Sequence, residues 1–265
     1  LRKKLEQIRQ RMSKSGTGLL IIAPGPNFKW LFDFTPLPDE RPCFACITFT
    51  DLAFLVPTLN FQQLRSSLDY PFYVWNDEDG PSKEFKNLVS GLSEKRIEKV
   101  AIEESMRADF FSLIQNEFNK ALIVFSQSII GKLRMIKSDL EIEKLKKSAS
   151  VADQVMKEVL ETFTGNMTEL KLSTKIDLGF HQLGAKPAFS LVASGANGTF
   201  PHHHSENMPI QKGLPTIIDI GANVDGYFSD MTRMAHLHAP SAKCTLLVGI
   251  VEEALSRAID SVIVG

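Results

Sequence analysis

Hydrophobic and polar residues follow one another along the first half of the chain in a pattern typical of a mixed α/β protein. The spacing of Leu5, Ile8 and Met12 predicts a helix, and the apolar run 19–23 then indicates a buried strand. Further strand-like runs cover 43–49, 53–56, 72–75, 100–102 and 121–125, separated by helical patterns at 61–66, 83–92 and 108–119. Alternating helices and strands predict an α/β sandwich, which we place at residues 1–125.

The second half of the chain opens on a long amphipathic helix. Residues 126–138 are expected to form a connector, and Ser138 followed by Glu141 is a capping box that starts the helix. Apolar residues then keep helical spacing as far as Phe163. The remaining elements are a helix capped by Thr168, a strand at 190–194, a pair of strands around residue 224 and a helix from Ser241. We assign residues 139–265 to a second domain.

Two apolar strands joined by Asn223-Val224-Asp225-Gly226 form the most informative stretch of the chain. We interpret these four residues as the loop of a β-hairpin. Folding the strands about the middle of that loop places Asp219 opposite Asp230. The Cβ atoms of directly opposed residues lie only about 4.5–5.5 Å apart, so two like charges there destabilise a sheet unless something neutralises them.

Three kinds of group could neutralise this aspartate pair: a shared proton, an arginine, or one or two divalent cations bound by oxygen ligands. The strand 216–220 is otherwise apolar, so Asp219 is expected to be partly buried and costly to leave unpaired. We therefore favour a metal. An alternative with the same spacing, in which Asp219 caps a turn and Asp230 pairs with Arg233, stays open.

Three consecutive histidines precede the hairpin. In an extended loop His202 and His204 share one side while His203 faces the other, so at most two of them can serve one centre. A solvated loop and a functional site are both compatible with such a triplet. Its position shortly before the strand that bears Asp219 favours the functional interpretation.

Composition and charge exclude several classes of protein. With 265 residues, 43% of them hydrophobic, the chain is long enough for two domains. The near balance of 30 basic and 31 acidic residues gives no basic field for nucleic acid and favours small neutral or mixed-charge ligands. No apolar run reaches the roughly 18 residues needed to span a bilayer, so no membrane association is expected. The odd number of cysteines, three, predicts a reducing, cytoplasmic location.

The segments around the hairpin carry a resemblance to a known family. They are Pro187-Ala188-Phe189, Val192-Ala193-Ser194-Gly195-Ala196-Asn197, Pro201-His202, Lys212-Gly213, Ile218-Asp219-Ile220-Gly221-Ala222, Gly226-Tyr227 and Ser229-Asp230-Met231-Thr232-Arg233. Together they resemble the pita-bread metallopeptidases, especially prolidase and aminopeptidase P. Residues 133–138 with Glu141-Ile142 resemble the entry into that family's catalytic domain, and 27–34 resemble a segment of its creatinase-type N-terminal domain. The resemblance therefore covers essentially the whole chain.

This resemblance implies a creatinase/prolidase-type α/β N-terminal domain followed by a partial pita-bread catalytic domain of the α+β class, incomplete at its C-terminus. It implies that Asp219 and Asp230 are the first two of five ligands to a pair of divalent ions, commonly manganese, cobalt or zinc. It also implies that Thr232 orients Asp230 and that His202 is the active-site histidine, which contacts the substrate. The implied reaction is hydrolysis of the bond before proline in a peptide substrate, by a homodimer.

Three departures from the family pattern accompany the resemblance. Leu214-Pro215 replaces an aspartate usually found before the first strand, and Trp30 and Asp33 stand where tyrosine and glycine are common. The family's remaining ligands, a histidine and two glutamates, lie beyond the last helix. The chain also lacks an initiator methionine and stops as a helix ends. We therefore expect it to be part of a longer protein and, by itself, to have little or no activity.

Two other functions compete with the metallopeptidase. A non-catalytic, peptidase-like binding module would have the same fold, but it would have no reason to keep two facing carboxylates. A creatinase-like amidinohydrolase would use the fold without metals, and it would leave Asp219 and Asp230 unexplained.

Overall fold

A six-stranded mixed sheet organises the first half of the chain, and a four-stranded antiparallel sheet organises the second. The computed structural model describes residues 1–94 and 96–264. The chain divides into the units Leu1–Lys137 and Ser138–Gly265. Each unit combines helices with strands, in agreement with the predicted mixed fold.

The first unit alternates helices and strands as the hydrophobic pattern predicted. Its elements are α1 (Arg2–Ser15), β1 (Leu19–Ile22), α2 (Pro26–Phe32), β2 (Phe44–Ile47), β3 (Leu52–Pro57), α3 (Thr58–Arg65), β4 (Phe72–Trp75), α4 (Ser82–Gly91), β5 (Lys99–Ile102), α5 (Ala108–Glu117), β6 (Leu122–Phe125) and α6 (Ile130–Met135). The strand order is β4-β3-β2-β1-β5-β6. The predicted strands and helices all occur, with ends shifted by a few residues.

Both faces of this sheet are covered, which explains why its central strands read as continuous apolar runs. Leu20 and Ile22 pack into one core cluster, and Leu19 and Ile21 pack into a second cluster on the other face. All four side chains are fully buried.

Two cysteines of the first unit also divide between its two cores. Cys43 belongs to one cluster and Cys46 to the other, as expected for strand residues three positions apart. Burial raises the pKa of the Cys43 thiol to about 12 and that of Cys46 further still. Both thiols are therefore packing residues.

The segment that we interpreted as a connector lies within the first unit. Ser126–Ser128 forms a short 3₁₀ helix, and α6 follows it. Ile129 and Ile130 are fully buried in one of the two cores. The division between the units falls between Lys137 and Ser138.

The second unit packs two helices on one face of its sheet. Its elements are α7 (Asp139–Glu161), α8 (Glu169–Gln182), β7 (Lys186–Ser194), β8 (Pro215–Val224), β9 (Tyr227–Phe228), β10 (Met231–His236) and α9 (Ala242–Asp260). The strand order is β10-β8-β7, with β9 paired to β8. Residues from α7, α8 and the inward face of β8 form the core.

Local caps begin the helices of this unit where the sequence placed them. The predicted capping box is present, because Ser138 Oγ accepts from the Glu141 N–H while Glu141 Oε2 accepts from the Ser138 N–H. Thr168 Oγ1 accepts from the Lys171 N–H, and Ser241 Oγ accepts from the Cys244 N–H. Each cap satisfies a backbone donor that the first helical turn leaves without a partner.

Candidate metal centre and histidine loop

The hairpin that bears the two aspartates turns through two residues, Asp225 and Gly226. Their φ angles are 53° and 87°. Positive φ at both positions is typical of a type I′ turn, whose twist matches that of the flanking strands and for which Asp-Gly is a preferred pair. The prediction of a four-residue loop was therefore wrong.

This turn changes which residues face one another across the hairpin. Asn223 lies opposite Phe228, and Asp219 lies opposite Thr232. The prediction that Asp219 faces Asp230 directly was therefore also wrong. The register differs from the predicted one by two residues, and because side chains alternate with a period of two, Asp230 keeps the same face as Asp219. Residues related diagonally in this way lie about 7–8 Å apart.

Thr232 orients Asp219 rather than Asp230, contrary to the expectation from the family. Its Oγ1 donates to Asp219 Oδ1 at 2.6 Å. Within the described residues, Asp219 Oδ2 and the Asp230 carboxylate have no hydrogen-bond or ion-pair partner. Arg233 donates to the Thr232 carbonyl at 2.8 Å, and within the described residues it forms no pair with Asp230, so the alternative is not supported.

The backbone of the hairpin is held from both sides next to these aspartates. The Ala222 N–H donates to Ser229 Oγ at 3.0 Å, and the Ser229 N–H donates to the Ala222 carbonyl at 3.0 Å. The same carbonyl accepts from Ser148 Oγ of α7 at 3.0 Å. This side-chain bond of Ser229 lies at the break between β9 and β10, immediately before Asp230.

Gly221 allows the two sides of the hairpin to approach this closely. A Cβ at position 221 would lie 2.6 Å from the Ser229 carbonyl oxygen and 2.5 Å from Phe189 Cε1. Contacts of that length require the backbone or the ring to move. Glycine at this position therefore leaves room for the Ser229 carbonyl, immediately before Asp230.

The three histidines divide between the protein interior and the solvent. His203 Nε2 lies 2.9 Å from Glu169 Oε2, and the His203 side chain is only 8% exposed. His202 and His204 are exposed. The prediction that His203 is separated from His202 and His204 is therefore confirmed, but the prediction of an extended loop is wrong at Pro201 and His202, which form a turn.

Glu169 is a functional candidate that the sequence did not reveal. It lies in the first turn of α8, and its side chain is fully buried. Its carboxylate accepts from the Ser194 N–H at 2.7 Å, the Asn197 amide at 3.0 Å, His203 and the Glu206 N–H at 3.2 Å. In a sequence, an acidic residue directly after a helix cap indicates only a favourable charge at the helix start, so nothing marked Glu169 as a buried residue.

The surroundings of Glu169 stabilise its ionised form. Burial by itself raises the pKa of this carboxyl, but the hydrogen bonds donated by Ser194, His203, Asn197 and Glu206 outweigh burial and lower the pKa below its ordinary value. Since the carboxylate accepts from His203, the His203 proton is assigned to Nε2.

The aspartates are chemically suited to a divalent cation, because hard cations prefer carboxylate oxygens. One of them is oriented by Thr232, and each keeps at least one oxygen available. In the described part of the chain, no group of three or more histidine, cysteine, aspartate or glutamate side chains could hold a metal ion. The hairpin thus offers two ligands, and His202 does not join them.

Among the residues that the structure describes, no helix is both long and apolar enough to cross a membrane.

Two family models together match nearly the whole chain. Residues 4–136 match the Creatinase/Prolidase N-terminal domain, and residues 143–265 match Metallopeptidase family M24.

Individual relatives and solved structures agree with these matches. The chain is 27% identical over 263 residues to the Xaa-Pro dipeptidase of Pyrococcus horikoshii, covering 98% of this chain and 72% of that protein. The structure of a recombinant prolidase from Thermococcus sibiricus superposes with a TM-score of 0.91 at 29% identity, covering 98% of this chain and 72% of that one. The X-Pro aminopeptidase of Thermotoga maritima gives a TM-score of 0.77 at 22% identity, covering 96% and 70%, and this likeness concerns the fold alone.

Proposed function

Because the chain belongs to Metallopeptidase family M24 and carries the Creatinase/Prolidase N-terminal domain before its peptidase domain, we propose that it acts as an Xaa-Pro dipeptidase. Membership in this family makes it a peptidase that depends on divalent metal ions. The relatives at 27% and 29% identity are an Xaa-Pro dipeptidase and a prolidase, which favours a dipeptide over a longer proline-containing peptide as the substrate.

The observation that supports this proposal is the placing of two carboxylates on one face of a fixed hairpin. We assign Asp219 and Asp230 as ligands of a pair of divalent ions, for which manganese, cobalt and zinc are candidates. Thr232 holds Asp219 Oδ1 at 2.6 Å and so directs Oδ2 for metal binding. When bound, such ions lower the pKa of a water and polarise the scissile carbonyl.

The remaining role on this chain belongs to His202. Its side chain is exposed, while its neighbour His203 is held in the interior. We assign His202 the role of contacting the peptide and stabilising charge as the bond before proline breaks. An imidazole suits this task because it can both donate and accept a proton.

We also propose that the protein is a homodimer in a reducing, cytoplasmic compartment. The absence of a disulfide among Cys43, Cys46 and Cys244 in the described residues is compatible with such a compartment. Sedimentation of the native protein would test the dimer.

Neither the non-catalytic module nor the amidinohydrolase is favoured. Both leave the oriented Asp219 and the exposed Asp230 carboxylate without a role, and the dipeptidase gives them one.

A metal-binding and activity assay tests the proposed function. The protein at its native length is purified, and Mn²⁺ binding and hydrolysis of Ala-Pro are measured for Asp219→Asn and Asp230→Asn. We expect each substitution to reduce activity on the order of a hundredfold or more, because a direct ligand contributes more than the residues that orient it. Thr232→Val should lower metal affinity about 10- to 100-fold.

Asp225→Asn is the matched control for this assay. It makes the same chemical change on the same hairpin, and asparagine tolerates the positive φ of the turn. We expect its activity to equal that of the unmodified protein. Equal Ala-Pro hydrolysis by Asp219→Asn, or undiminished hydrolysis after metal removal, would contradict the proposal.

A further inference from the structure

Hydrogen bonds hold the loop that carries His202 to the buried carboxylate of Glu169 and to strand β7. Glu169 receives hydrogen bonds from the His203 ring and the Glu206 N–H within this loop. The Ser205 hydroxyl accepts from the Val192 N–H at 2.9 Å and donates to the Val192 carbonyl at 3.2 Å. His202 and His204 have no such bonds within the described residues.

Glu169 also joins this loop to the end of β7. Its Oε1 accepts from the Ser194 N–H and the Asn197 side chain, at 2.7 Å and 3.0 Å. Its backbone N–H donates to the Met208 carbonyl at 3.0 Å. A single fully buried residue of α8 therefore fixes β7, the turn after it and the histidine loop relative to one another.

A buried carboxylate in this position is costly unless donors surround it. All four partner groups are donors, and they contact both carboxylate oxygens. Charge-assisted hydrogen bonds of this kind are about twice as strong as neutral ones and impose geometry. The cluster is thus suited to hold a loop in one conformation.

We propose that Glu169 is a positioning residue that fixes the direction of His202 by binding the adjacent His203. The proposal rests on the proposed function, because it assigns His202 to the reaction. His202 lies in a turn, which the His203 N–H closes by donating to the Phe200 carbonyl at 3.3 Å, and its side chain is exposed. When Glu169 binds the His203 ring inside the protein, the chain consequently presents His202 to the outside, where it meets the peptide.

Two substitutions at His203 distinguish the contribution of its hydrogen bond to Glu169 from the contribution of its bulk. In His203→Gln the amide nitrogen can still donate to Glu169, whereas in His203→Leu a side chain of similar bulk cannot. His181→Leu is the matched control, since His181 is an exposed histidine on α8. Glu169→Gln removes the bond from the other side. The glutamine –NH₂ group replaces an accepting oxygen and faces donors, with which it cannot form hydrogen bonds.

Two measurements on the native-length protein test the proposal. Amide hydrogen exchange of residues 200–206 reports loop order without requiring activity. We expect exchange there to increase about tenfold in His203→Leu and Glu169→Gln, and to stay unchanged in His203→Gln and His181→Leu. For Ala-Pro hydrolysis well below the unfolding temperature, we expect kcat to fall about 10- to 100-fold in His203→Leu, with KM changed less than about threefold.

The outcomes distinguish this proposal from the proposed function. An inactive native protein whose loop still loses protection in His203→Leu would overturn the dipeptidase assignment but support the anchoring by Glu169. An active protein in which His203→Leu keeps both its kcat and its loop protection would overturn the positioning role alone. If Glu169→Gln fails to fold, the comparison of His203→Leu with His203→Gln still decides. Equal loss in these two variants would show that the ring itself, and not its hydrogen bond to Glu169, holds the loop.

Discussion

Two buried glutamates differ in the direction in which their surroundings shift the pKa. Glu169 is surrounded by donors from four residues, and its pKa is lowered despite burial. Glu103, 3% exposed, accepts from the Ala23 N–H at 2.8 Å and from the Asn27 side chain. Burial outweighs these bonds and raises the pKa of Glu103 to about 7. The hydrogen bonds outweigh burial at Glu169, and burial outweighs the hydrogen bonds at Glu103.

The raised pKa of Glu103 predicts a pH dependence of stability. Between the ordinary pKa of 4.5 and about 7, the folded protein keeps a proton that the unfolded chain has released. The free energy of unfolding consequently falls as pH rises through this window, by about 3 kcal/mol in all, and is level above it.

Glu103→Gln tests this dependence because glutamine cannot titrate. We expect urea denaturation of the variant to show a flatter stability profile between about pH 5 and pH 8 than the unmodified protein. Subtracting one profile of unfolding free energy against pH from the other cancels the contribution of all other titrating groups. Parallel profiles would contradict the role assigned to Glu103.

At the scale of elements, the hairpin β8–β9–β10 depends on one turn and one glycine. The Asp225-Gly226 turn sets the register, and the missing side chain at Gly221 lets the Ser229 carbonyl and the Phe189 ring approach. The turn places Asp219 opposite Thr232, and the glycine leaves room for Ser229, the residue before Asp230.

Gly221→Ala is expected to destabilise the second unit by about 1–3 kcal/mol, because the added methyl group overlaps backbone and ring atoms. Gly249→Ala is the control: it lies inside helix α9 with no atom within 4 Å of the new Cβ. We expect that change to stabilise by about 0.5–1 kcal/mol, since alanine favours helix more than glycine does. Urea denaturation measures both, and equal stability of the two variants would refute the steric role of Gly221.

At the scale of the whole molecule, each unit has its own hydrophobic core. The first unit has one core on each face of its sheet, and the second has a core between α7, α8 and β8. In contrast, none of the residues of α9 is buried within the described structure, and its apolar side chains such as Leu247, Ile250 and Leu255 are exposed.

Separate cores predict separate unfolding. We expect scanning calorimetry to resolve two transitions, because a unit with its own core can unfold as its own cooperative step. Glu103→Gln should move only the transition of the first unit, and Gly221→Ala only that of the second. A single transition that both substitutions shift equally would show that the two units unfold together.

The sequence by itself determined the elements, the caps and the face on which the aspartates lie. Helix and strand periods and the Ser138 capping box depend on residues a few positions apart, so they can be recognised from the sequence alone. The period of two in a strand also keeps Asp219 and Asp230 on one face even when the register is misjudged by two residues. The family resemblance rested on the same local stretches, and the family matches confirmed it.

Only the tertiary structure decided the register of the hairpin, the partner of Thr232 and the donors that surround Glu169. The register followed from φ angles at Asp225 and Gly226, which the sequence allowed but did not impose. The side-chain partners of Glu169 lie 25 to 37 positions away in the chain. Such contacts form only when α8, β7 and the histidine loop have packed together, because no local preference specifies which donors will surround a buried charge.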